Sequence, residues 1–211
     1  MKKLLSLALA LAMSLSVAVP AFATFDGTVD EDIRLSYYAE YIQIAEEVSK
    51  ETGIDISVLP MDEFKDEDWK TPQAFRAFIT EVANWRLNCT ASAAPIEPEN
   101  RPSPHTVTVS ATKAAKVNAE GTNYELLITG EFETGYRAST GRQHFAKVIS
   151  ITSKLSGRVG TWTQTGYERE FIDASRTVAA HVSGTLTIAG AVFKNKVAYV
   201  EFYCSDTGKV D

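Results

Sequence analysis

The sequence predicts an α+β protein, with an N-terminal helical segment of two main helices followed by an antiparallel all-β sandwich or barrel. Three observations carry this. Apolar residues recur with a helical period in the first half of the chain and alternate with a period of two beyond Pro104. Charge divides along the same line, residues 24–99 carrying a net −11 and residues 100–211 a net +3. Glycines at 121, 135, 141, 157, 166 and 190 punctuate the second half at intervals too short for crossover helices, which leaves antiparallel connections.

Residues 1–23 carry the parts of a cleavable signal peptide in order: the basic start Lys2-Lys3, the uncharged stretch Leu4 to Val19, and the small-x-small site Ala21-Phe22-Ala23. The apolar run is shorter than the roughly 20 residues a membrane helix needs, and Pro20 interrupts it. Export is therefore expected, with a mature chain that starts at Thr24, is secreted or associated with the cell envelope, and has no transmembrane segment. Without the leader, 19 basic face 27 acidic side chains, a balance with no general attraction for nucleic acid.

The acidic region 24–89 reads as helices. Ile33, Tyr37, Tyr41, Ile44 and Val48 form one stripe, opened by a capping box of Thr28 and Glu31 or by Asp30, and closed at Gly53. Thr71-Pro72 announces a second helix, with Phe75, Phe78, Ile79, Val82 and Trp85 on its apolar face. The segment between them is expected to hold a turn and one short helix. Its acidic run Asp62 to Asp68 lacks the glycine and the terminal glutamate spacing of a calcium loop and reads as a solvated loop.

Residues 90–104, with Pro95, Pro98, Pro102 and Pro104, form an extended linker. In the β domain, 105–211, strands are predicted over 106–112, 123–132, 143–152, 161–165, 167–172, 178–188 and 197–204. The clearest is the stretch from Val178, where Val178, Ala180, Val182, Leu186 and Ile188 face one way and Ala179, His181, Ser183, Thr185 and Thr187 the other.

Two cysteines, Cys89 and Cys204, allow one disulfide in an oxidising compartment, which by loop entropy adds about 4–5 kcal/mol, or else two thiols buried as small apolar groups. The motifs of zinc proteases, serine hydrolases, P-loops and Cys-x-x-Cys proteins are missing from the sequence. No catalytic residue, metal ligand set or cofactor is assigned. His105, His144 and His181 are widely spaced, and the carboxylates Glu168, Glu170 and Asp173 carry the enzymatic alternative, an extracellular hydrolase. Ahead of the hydrolase, the first alternative is a membrane-active protein that inserts an amphipathic β-hairpin built on 178–189. The leading expectation is a secreted, non-enzymatic binding module for an extracellular protein or carbohydrate. Its candidate surface is Trp162 with Gln164, joined by Tyr167 or Tyr136, because the strand around Trp162 offers no apolar company of its own; the other setting open to this strand is a sheet edge with Trp162 covered by a loop or by the helices.

Overall fold

The computed structural model describes residues 31–89, 91–92, 106–157 and 159–211. The expected signal peptide, the alternative candidate caps Thr28 and Asp30, His105 and most of the predicted Pro-rich linker lie outside the described residues. Helix α1 (Glu31–Thr52) buries Tyr41, Ala45 and Val48. It stops at Gly53, whose φ of +72° an L side chain rarely adopts and whose amide donates to the Ser49 carbonyl oxygen at 2.9 Å. Helix α2 (Pro72–Ala83) is capped by Thr71, whose hydroxyl accepts from the Ala74 amide at 3.3 Å. The two helices meet through the stacked rings of Tyr41 and Phe75, 4.0 Å between centroids.

Strand β1 (Ile56–Val58) and two single 3₁₀ turns, Met61–Glu63 and Asp66–Asp68, lie between the helices. The acidic run is therefore turned chain, and Asp68 is buried in it, its carboxylate accepting the Lys65 amide at 3.0 Å. Trp85 falls beyond the end of α2. Its ring packs on Tyr124 at 5.2 Å and its indole nitrogen donates to the Asn118 carbonyl oxygen at 3.2 Å.

Strands β2 (Leu87–Cys89), β3 (Ala91–Ser92), β4 (Val107–Ala119), β5 (Thr122–Arg137), β6 (Arg142–Ser156), β7 (Thr161–Ile172), β8 (Thr177–Ile188) and β9 (Ala191–Tyr203) complete the chain. They form two sheets. One has the order β3-β4-β5-β6; the other runs β1-β9-β8-β7, with β2 also paired to β9. The pairings are antiparallel except β2 with β9, which is parallel. The fold is thus α+β, with helices preceding an antiparallel sandwich. Strands β2 and β3 hand the chain from the second sheet to the first and fasten one side of the sandwich.

Alternation along β8 fills the interior with Val178, Ala180, Val182, Leu186 and Ile188, each essentially inaccessible to solvent. Phe132, Phe145 and Phe202 fill the half remote from the helices. The helices cover the other end, where Tyr41, Phe75, Phe78 and Val82 share one core with Tyr124, Leu186, Ile188 and Phe193. Phe64 lies on Gly190 in the β8–β9 turn, where a β-carbon would collide with its ring. The buried Lys196 of β9 donates to the carbonyl oxygens of Val82, Ala83 and Trp85, at 3.2, 2.9 and 3.2 Å, and so caps α2 from the sheet. Burial lowers this ammonium to about 8.

Candidate functional site

The residues singled out around Trp162 part company in the structure. Strand β7 is an edge strand, and its first half leans on β6, the edge of the other sheet. The indole of Trp162 turns inward over Gly184, among Trp85, Leu87, Val117, Leu126, Leu155 and Leu186. Its nitrogen donates to Ser153 Oγ at 2.8 Å, Ser153 donates to Gln164 Oε1 at 2.7 Å, and Gln164 Nε2 donates to the Ile151 carbonyl oxygen at 2.9 Å. These bonds tie the two strand edges together. Trp162 and Gln164 therefore form a seam between the sheets: of the two settings open to this strand, the open platform is not the one adopted, and the cover on the edge-strand tryptophan comes from the other sheet. The apolar company missing along β7 is supplied by Trp85 and by β2, β4, β5, β6 and β8.

Tyr167 shares the inner face with them, although strict alternation places it opposite. A bulge between Gln164 and Gly166 makes the difference, since Trp162, Gln164 and Tyr167 register with Leu186, Gly184 and Val182, alternate residues of β8. Past the bulge the strand leaves the seam, and Tyr167 through Phe171 are exposed without a break. Tyr136 stands apart, at the far end of β5, where it registers with Gln143.

The outer face of the second sheet presents a different group. Register places Glu168 beside His181 and Tyr199, Glu170 beside Ala179 and Glu201, and Ile172 beside Thr177 and Tyr203. Paired residues of a sheet share a face, so these form three rows across β7, β8 and β9. The His181 and Tyr199 rings lie 5.0 Å apart. The Tyr199 hydroxyl donates to the Glu201 carboxylate, and that bond pushes the phenol up to about 12. None of Glu168, Glu170 and Glu201 enters an ion pair among the described residues. Tyr199, Glu201 and Tyr203 escaped the sequence reading. Their signal was present in the alternation of Val197, Tyr199, Glu201 and Tyr203 with Ala198, Val200 and Phe202.

The disulfide is corrected, because Cys89 and Cys204 are both free. Cys89 registers with Val200, so Cys204 lies four residues further along β9, about 13 Å away and beyond the reach of a disulfide. Burial pushes both thiols up to about 11. His144 and His181 lie on different sheets, and among the described residues no three His, Cys, Asp or Glu side chains are grouped to hold a metal. No described helix is long and apolar enough to cross a membrane. No protein-family model, curated protein or solved structure matches the chain.

Proposed function

We propose that the mature chain is an exported, non-enzymatic binding module that docks a protein partner carrying basic groups on the outer face of its second sheet. One observation carries this reading: Glu168, Glu170, His181, Tyr199, Glu201 and Tyr203 are brought by three strands onto one face. Tyrosine rings give large, rigid contact area at small entropic cost. Carboxylates without an internal cation are available to an external one.

The alternatives find less support. The apolar side of β8, which a membrane-inserting hairpin would have to expose, is committed to the core between two neighbouring strands. Glu168 and Glu170 stand two residues apart on one side of a single strand, whereas glycoside hydrolysis needs carboxylates that flank the scissile bond.

An array of immobilised peptides and glycans, probed with the purified mature protein, tests the reading. Binding to basic peptides that is lost in Tyr199→Ala/Glu201→Gln and kept in Thr129→Val, on the other sheet, supports it. Binding to glycans alone, or binding indifferent to both changes, overturns it. Export is tested separately by intact mass, which should show the secreted chain beginning at Thr24.

A further inference from the structure

Resting on that reading, we infer that the partner adds as an extended strand to the edge of β7 at Gly166–Ile172, and that its side chains follow the order apolar, basic, acidic, basic, apolar.

Among the described residues the other sheet edges are short, broken or open on one side alone: β4 meets β3 at Lys113 and Ala114 and keeps Val107–Thr112 in unshifted register with β5, but Val109 and Ala111 there pack on the core. β1 and β2 have three residues each and β3 has two. On β6 two bulges interrupt the register with β5, leaving Ala146 and Ile149 as the extra residues. Short strands and bulges are the usual means of blunting an edge. The first half of β7 is blocked by the bonds from Trp162 and Gln164 to β6. From Gly166 to Ile172, by contrast, β7 keeps an unshifted register with Ser183 to Thr177 and pairs with β8 alone among the described strands. Five consecutive residues, Tyr167 to Phe171, are exposed, so both sides of the strand and its free edge are open to solvent. Every second backbone amide and carbonyl along such an edge points outward, which is the basis of peptide recognition by strand addition.

The side chains state what fits. On the outer face, Glu168 and Glu170 call for two basic residues spaced i, i+2. On the inner face, Tyr167 and Phe171 flank Arg169, whose guanidinium carbon lies 5.2 Å from the Phe171 ring centre. Apolar residues opposite the rings and a carboxylate opposite Arg169 complete the order. A second copy of the chain is the wrong occupant. An antiparallel twofold pairing centred on Glu168, Arg169 or Glu170 sets glutamate against glutamate, and like charges directly opposite are destabilising.

The probe is the capped peptide Thr-Val-Lys-Glu-Lys-Val-Thr, which reads the same in either strand direction. Its controls are the charge-exchanged Thr-Val-Glu-Lys-Glu-Val-Thr and the matched peptide N-methylated on alternate backbone nitrogens. The matched peptide should bind about tenfold more tightly than the exchanged one, as expected of three cross-strand charge pairs. It should also protect amides of residues 166–172 from hydrogen exchange, and the N-methylated form should not. The variant Glu168→Lys/Arg169→Glu/Glu170→Lys should reverse the preference. Equal binding of both charge orders, protection elsewhere, or no binding at the highest soluble concentration overturns strand addition. In each of these cases, array binding that still depends on Tyr199 and Glu201 leaves the face reading standing, and its loss removes both.

Discussion

The two halves of β7 belong to one strand, pair with one neighbour and yet meet opposite fates. Thr161–Gln164 is sewn to β6 through Trp162, Ser153 and Gln164, whereas every residue of Tyr167–Phe171 is exposed. One bulge separates them. An edge strand is thus protected or offered according to where its polar side chains can reach the next sheet, and a single inserted residue decides where that protection ends. The helix-covered end of the molecule extends the fastened side of this contrast, with Lys196 as its second tie.

The largest expected effect sharpens the contrast directly. Trp162→Ala should lower stability by about 3 kcal/mol in urea denaturation, through lost burial and the orphaned Ser153–Gln164 pair. Phe171→Ala, at a residue 37% exposed, should lower it by about 1 kcal/mol. Equal losses would break the comparison.

Lys196 gives a pH dependence. Its ammonium is lowered from the ordinary 10.5 to about 8, so between those values the unfolded chain holds a proton that the folded chain has released. Stability contributed by this group therefore rises with pH across that interval, by on the order of 2–3 kcal/mol, and is held down below about 8. Denaturation midpoints of the wild type and Lys196→Met across the interval should diverge accordingly. Parallel curves would remove the charged tie.

Gly184→Ala puts a β-carbon where the indole lies and should cost about 1–2 kcal/mol, with red-shifted tryptophan emission in a Trp69→Phe/Trp85→Phe background. Unchanged emission would mean that the seam is looser than described. The smallest effect belongs to the open half. Glu168→Gln/Glu170→Gln should leave stability within about 0.5 kcal/mol while weakening the matched peptide. A large loss of stability there would make the edge structural.

Elements whose signal is local were legible in the sequence. The cap at Thr71-Pro72, the stop at Gly53 and the alternation from Val178 to Ile188 each depend on neighbours within a few residues, and each holds in the structure. Partners distant in sequence were not legible. Ile56–Val58 and Leu87–Cys89 are too short to show a period and become strands only because β9 offers them an edge. The predicted strand over 106–112 stops short of Lys113, Ala114, Ala115 and Lys116, which have weak strand preference, yet the ladder with β5 carries β4 to Ala119. Gly166 separates two predicted strands, 161–165 and 167–172, but the chain only bulges there and continues as one. The start of β9 lies ahead of the predicted strand over 197–204, because Asn195, at a φ of +54°, interrupts its alternation. For the candidate site, the residue types around Trp162 are visible in the sequence but their setting is not, since its apolar neighbours are Trp85 and residues of five other strands.

Strand β9 comes last in the chain and lies in the middle of its sheet, flanked by β8 on one side and by β1 and β2 on the other. The acidic segment at the front therefore cannot settle until the back of the chain arrives. Leu87 waits for Ala198, Ile56 for Phe193, and the end of α2 for Lys196. Contacts so remote in sequence slow folding, because a long loop must close before they repay its entropy. Ribosome-bound chains halted before β9 should remain protease-sensitive throughout, helices included. For a chain exported as proposed, this ordering keeps the polymer threadable until its final strand has emerged on the far side.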